Sequence, residues 1–256
     1  MTSRLHATVD GPADAPVLVL GSSLGTTGAM WEPQLAALAA RYRVIRYDHL
    51  GHGGSAVPLG PYRIELLGRE VLALLDDLAV PRAHYAGLSL GGMVGMWLAA
   101  HAPERVDRLA LLCTSASLGP AEGWRQRAAT ARAAGMAAIA DAVVARWFTP
   151  PFAESRPDVV AAHRAVLTAT PAAGYAGCCE AIAAMDLRPD LGKIAAPTLV
   201  IAGADDPATP AEHADAIVER IAGARLAVVD RAAHLASVEQ PEQIGHLLLN
   251  HFEEGI

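Results

Sequence analysis

Gly87-Leu88-Ser89-Leu90-Gly91 is the stretch on which the fold turns. It follows the apolar run 83–86 and opens a helix-like segment that continues to 101. A serine at such a strand–turn–helix junction sits on a tight turn with strained backbone angles. Flanking glycines remove side chains that would clash there. In that context the serine is presented as a nucleophile. Without it, so short a pattern reads as a glycine-rich turn with an inert serine.

Outward from this turn, short apolar runs recur at 17–20, 44–47, 83–86, 109–113, 198–202 and 226–229. Most are continuous rather than alternating, which suits strands covered on both faces of a parallel sheet. Helix-like segments lie between them at 31–40, 64–78, 90–101 and 211–221. This alternation predicts an α/β, doubly wound, mostly parallel sheet. The rhythm breaks between Leu118 and Pro189, where no strand pattern occurs. Pro120 and Gly135 bracket one predicted helix, and a second spans 136–148. Ser155, ahead of Pro157 and Asp158, predicts the start of a third, and Thr170-Pro171 the start of a fourth. The predicted division is a core of 1–117 and 190–256 with a helical lid at 118–189.

At 256 residues, 52% apolar and 18% charged, the chain can bury a large core and is not globally disordered. Its net charge of −7 leaves no basic stripe for a nucleic acid. An acidic surface also repels anionic substrates, so an anion would need a local Arg or Lys. Three cysteines, two of them adjacent, argue against a disulfide framework and for a reducing, cytoplasmic setting. The N-terminus carries no signal-like apolar run, and no stretch approaches a membrane span. Nothing in the sequence sets the oligomeric state.

A nucleophilic serine needs a base and an acid that orients it. His234 lies just after the last apolar run, where this sheet type places its ligands. His49 and His52 share one loop as further candidates to line the site. Gly203-Ala204-Asp205-Asp206 follows the run 198–202 and offers two carboxylates. The G-x-x-D spacing favours Asp206, with Asp205 as a turn or helix cap. Ser89, Asp206 and His234 then stand in the order nucleophile, acid, base. Two backbone N–H donors must hold an oxyanion, and those of Leu90 and Leu24 are predicted. Leu24 belongs to the small-residue loop Gly21-Ser22-Ser23-Leu24-Gly25-Thr26. No His/Cys cluster has metal spacing, so no metal is expected, and an acyl-enzyme mechanism on a serine calls for no organic cofactor.

With these residues in place, the chain resembles the α/β-hydrolases along its whole length. More narrowly it resembles the 3-oxoadipate enol-lactonases. The segments that carry this are Ser23-Leu24-Gly25-Thr26 with Met30-Trp31, Gly87–Gly91 with Gly92-Met93, Arg146-Trp147-Phe148-Thr149-Pro150, 175–179 and Asp206-Pro207-Ala208-Thr209-Pro210. Two positions depart from many relatives: Ser22-Ser23 stands in place of His-Gly, and Leu50 in place of Arg. The resemblance implies a cytoplasmic serine hydrolase of aromatic catabolism, in the β-ketoadipate pathway, acting on a small anionic lactone with an acetate arm. A lid cation would then meet that arm, with Arg125, Arg127, Arg132 and Arg146 as candidates. Ser23, Met93, Trp124 and Trp147 are the other candidates to contact substrate. The rival readings are an esterase, a carbon–carbon bond hydrolase, a cofactor-free perhydrolase, or a lactone-binding receptor of the same fold.

Overall fold

Continuous apolar runs are stable only when both faces of their sheet are covered. In the computed structural model, which describes residues 3–253, these runs become the strands of one sheet. The strands are β1 (Ala7–Asp10), β2 (Val17–Gly21), β3 (Arg43–Tyr47), β4 (Ala83–Leu88), β5 (Val106–Leu112), β6 (Thr198–Gly203) and β7 (Arg225–Val229). Their order is β1-β3-β2-β4-β5-β6-β7. Every pairing is parallel except β1 with β3. The sequence pattern does not predict β1, which is four residues long and no more than half-buried at the sheet edge. β5 starts three residues before its apolar run, and Cys113 falls just outside it with φ 43°.

Three helices interleave with the first strands: α1 (Glu32–Ala39), α2 (Ile64–Asp77) and α3 (Leu90–His101). α3 has the bounds the sequence predicts. It is apolar on nearly every side and lies across β2, β4 and β5, with α2 packed on it. Five helices separate β5 from β6: α4 (Ala121–Ala134), α5 (Ala137–Val144), α6 (Pro150–Ser155), α7 (Pro157–Ala169) and α8 (Ala172–Ala184). Ser155 does not cap the third predicted helix. It ends the short α6, and Arg156 stands at the N-terminus of α7. α4 packs along α8, and α7 packs on α5 and α6. α8 comes so close to the core loop after β3 that a Cβ on Gly174 would lie 2.3 Å from the Gly51 backbone. The chain finishes with α9 (Ala211–Val218), α10 (Ala236–Glu239) and α11 (Pro241–Glu253).

The register sets the site. Gly21 pairs with Gly87, Leu88 with Leu112, and Gly203 with Val229, so the loops after β2, β4, β5, β6 and β7 leave one edge together. From β2 the chain winds to β3 on one side, and from β4 to β5 on the other. The crevice between β2 and β4 is therefore the switch point at which an open α/β sheet binds ligands. All three cysteines are buried free thiols. Among the described residues, no helix is long and apolar enough to cross a membrane.

Candidate active site

Ser89 occupies the one-residue junction between β4 and α3 at φ 56° and ψ −114°. Holding a non-glycine residue there costs about 1–3 kcal/mol. The cost is offset by bonds on both sides: Ser89 N–H donates to Leu112 C=O at 2.9 Å, and Thr114 Oγ1 donates to Ser89 C=O at 2.7 Å. The flanking glycines are required by contact. A Cβ on Gly87 would lie 2.3 Å from the Gly91 backbone, and one on Gly91 would lie 2.3 Å from Gly21.

His234 and Asp206 form a buried pair, with Nδ1 of His234 2.9 Å from Oδ2 of Asp206. Thr209 Oγ1 also donates to Oδ2 at 2.7 Å, while the N–H groups of Ala208 and Thr209 donate to Oδ1 at 2.8 and 3.1 Å. Burial alone would raise the carboxyl pKa. The charge and hydrogen bond of His234 and the donors of Thr209 outweigh it and lower the pKa to about 2. An ionised Asp206 keeps the proton of His234 on Nδ1 and leaves Nε2 as the basic nitrogen. Asp205 is exposed and points elsewhere, so geometry separates the two carboxylates.

Ser89, His234, Ser23 and Leu24 line one cavity of about 310 Å³. The Ser89 hydroxyl makes no hydrogen bond to His234 in this conformation. Such contacts often tighten only when substrate binds. In the loop after β2, Ser23 N–H donates to Met30 Sδ, Gly25 N–H to His52 Nε2, and Thr26 N–H to Ser23 C=O. The N–H groups of Leu24 and Leu90 find no acceptor among the described residues.

The helical segment between β5 and β6 supplies the opposite wall through Trp124, Arg127, Arg146, Trp147 and Tyr175. Of the predicted contacts, Ser23, Trp124 and Trp147 face the cavity. Met93 does not; it is wholly buried on the inner side of α3. Arg125 does not either: it is exposed, pairs with Glu122 at 3.5 Å, and lies by a different depression beside Glu180. Arg132 is taken by Glu180. His49 and His52 do not line the cavity; they are buried and bond to Ser22 C=O and Gly25 N–H. Among the described residues, no group of three His, Cys, Asp or Glu is arranged to hold a metal ion.

A family model described as alpha/beta hydrolase fold matches residues 16–241. The chain belongs to the α/β-hydrolase family. This hydrolase is 45% identical to 3-oxoadipate enol-lactonase 2 of Acinetobacter baylyi, over 92% of its own length and 88% of the relative's. It is 37% identical to 3-oxoadipate enol-lactonase 1 of the same organism, over 93% and 89%. The enol-lactonase structure from Burkholderia xenovorans LB400 superposes with a TM-score of 0.96 at 44% identity, covering 98% of this chain and 96% of that one.

Two further residues shape the hydrolase site. Tyr175 walls the cavity from α8, and Glu239 ties the His234 loop to the segment between β5 and β6 by accepting from Ala233 N–H and, at 2.8 Å, from Thr149 N–H. Glu239 is a carboxylate that ends a run of buried residues starting at Ala232. That apolar setting is the one cue in the sequence that its charge must be used internally.

Proposed function

We propose that this α/β-hydrolase opens 3-oxoadipate enol-lactone to 3-oxoadipate through an acyl-enzyme on Ser89. The observation that carries the reading is the shared cavity. Ser89, His234 and Leu24 all line one partly closed space, and His234 is paired there with Asp206. The substrate class follows from near full-length similarity to enol-lactonases.

In this mechanism Nε2 of His234 accepts the Ser89 proton as Oγ attacks the lactone carbonyl. The tetrahedral oxyanion is held by the N–H groups of Leu24 and Leu90. Asp206 stabilises the imidazolium. The ring carbon–oxygen bond then breaks, and the departing enolate oxygen takes the proton from His234. The leaving group is an enol, far less basic than an alkoxide, and its relaxation to the ketone draws the opening forward. Water, losing a proton to His234, attacks the acyl-enzyme, and Ser89 leaves with that proton. The helices between β5 and β6 act as the cap over this chemistry, with Trp124 and Trp147 as apolar walls.

The test is to generate the enol-lactone in situ and follow its loss in the ultraviolet, with an aryl acetate alongside. Wild type should prefer the lactone strongly, and Ser89→Ala should lower kcat by about 10⁴-fold or more. Cleavage of the aryl ester with no effect on the lactone would keep the hydrolase and discard this substrate.

A further inference from the structure

A second cavity opens where the helical segment between β5 and β6 meets the loops after β6 and β7. Its volume is about 360 Å³, against about 310 Å³ for the cavity that holds Ser89. Small ligands occupy spaces of this size, lined mostly by apolar groups with a few polar ones set among them. Here the apolar lining is the buried Phe148 with the exposed Pro150, Pro151 and Pro207. The charged lining is one anion and one cation, Asp205 and Arg231. Neither side chain makes an ion pair or hydrogen bond to a described residue, and the two do not pair with each other. By contrast, the surface arginines Arg156, Arg164 and Arg188 are each taken by a carboxylate.

The backbone sets these two charges side by side. Asp205 N–H donates to Ala232 C=O at 3.0 Å, so the loops after β6 and β7 run together at this point. Arg231 stands at φ 54°, in the left-handed region that favours glycine. Gln240 holds it there, with Nε2 donating to Arg231 C=O at 2.8 Å. Backbone strain of this kind collects at active sites and ligand clamps, and the catalytic cavity does not include Arg231. What meets both charges at once is a small zwitterion. Its ammonium would face Asp205, and its carboxylate would take the guanidinium fork of Arg231. Its hydrocarbon part would cover Phe148 and the three prolines.

We propose that this cavity is an effector site for a small zwitterion with an apolar body, the constitution of an apolar α-amino acid. Its walls are the immediate neighbours of the His234–Asp206 pair. Asp205 and Pro207 flank Asp206, Ala233 precedes His234, and Pro207 lines the catalytic cavity as well. Thr149 also lines the site, and it shares the Glu239 carboxylate with Ala233. A ligand seated here bridges three chain segments and fixes where the pair stands relative to Ser89. It therefore acts on the chemical steps and not on substrate binding. The site does not rest on the lactonase reading.

L-Phenylalanine is the probe, with phenethylamine as its counterpart lacking the carboxylate. Affinity is measured by calorimetry for wild type, Ser89→Ala, Asp205→Asn, Arg231→Gln and Arg231→Gly, the last of which suits the backbone and removes only the charge. Wild type and Ser89→Ala should bind phenylalanine equally. Each Asp205 or Arg231 variant should weaken it about tenfold or more. Phenethylamine should bind less tightly and be indifferent to Arg231→Gln. Steady-state rates are read on whichever of the enol-lactone and an aryl acetate is turned over faster. Saturating phenylalanine should shift kcat about fivefold or more with KM little changed, and the shift should vanish in the variants. Wild type that binds no phenylalanine at millimolar concentration overturns the proposal, as does equal binding by the Asp205 and Arg231 variants. A rise in KM alone would place the ligand in the catalytic cavity and overturn it too, and so would binding that leaves kcat unmoved. A protein inert to the lactone whose aryl acetate kcat still responds through Arg231 removes the lactonase reading and supports the site.

Discussion

His52 shows how a residue outside the cavity shapes what happens inside it. Its Nε2 accepts the N–H of Gly25 at 3.0 Å, which places its own proton on Nδ1, donated to Leu50 C=O at 3.1 Å. His49 holds the other end of the loop, with Nε2 donating to Ser22 C=O at 2.9 Å. Leu24 is thus pinned between two imidazoles, with its N–H turned free. Replacing His52 by Phe strands the Gly25 N–H without an acceptor and releases the loop. Losing one whole oxyanion donor costs about a hundredfold to a thousandfold in kcat. A misaligned donor should cost about tenfold to a hundredfold, with KM little changed, and Gln, which can present a carbonyl oxygen, should restore part. Steady-state kinetics on the preferred ester decides it, and a loss confined to KM would refute the positioning role. At this scale the sequence distinguishes a residue's chemistry better than its direction. The G-x-x-D spacing separates Asp206 from Asp205, but nothing in Asp48-His49-Leu50-Gly51-His52 says whether a ring lines a pocket or supports one. The helical face of α4 could have separated the arginines: Trp124, Arg127, Ala128 and Ala131 share the side that packs inward, and Arg125 does not.

Among the elements, the helical segment between β5 and β6 is bonded to the core beside His234. Glu239 ends α10. Its Oε1 accepts from Thr149 N–H and Thr149 Oγ1, both at 2.8 Å, and its Oε2 accepts from Ala233 N–H. Leu235 N–H donates to Trp147 C=O at 2.9 Å. The residues on both sides of His234 are therefore bonded either to that segment or to the carboxylate that holds it, and the same Thr149 caps α6. Glu239→Leu would leave two buried N–H groups unpaired. It should cost about 2–4 kcal/mol in stability by urea unfolding, and it should lower kcat by loosening His234. Glu239→Gln keeps one acceptor and should cost less than half as much. A Leu variant with wild-type stability and kcat would show that the clamp is idle. α6 itself escapes a reading of the sequence because Pro150-Pro151 looks like a break. Proline in a first turn behind a threonine cap is instead a start. β1 escapes for a different reason: an edge strand with one neighbour needs no continuous apolar run. α3 is fully legible because the serine turn fixes its first residue.

Across the whole molecule, the continuous apolar runs make the parallel sheet readable, but they do not reveal the ionisable groups folded beneath it. Those groups set how stability depends on pH. His49 and His52 are buried, and burial is the first cause that lowers their pKa values to about 3 and about 4. In the unfolded chain each titrates near 6.5. Below that value the unfolded state binds protons that the fold refuses. Their contribution is therefore fully present above pH 6.5 and is lost as pH falls toward the folded values. Burial lowers His84 and His163 as well, with the same sign. Glu239 acts in the opposite sense. Burial raises its pKa above 4.5, so its contribution is lost as pH rises through that raised value. Asp206, held at about 2, resists acid until well below pH 3.8. Between pH 7 and pH 5, His49 and His52 together remove about 4 kcal/mol. That is a large share of the roughly 5–15 kcal/mol that holds a domain folded. Urea unfolding at the two pH values should show this drop, and His52→Gln should roughly halve the slope while lowering stability at pH 7. Equal stability at both values would mean that the two rings are hydrated or protonated in the fold, and the neutral anchoring of the Leu24 loop would fail with it.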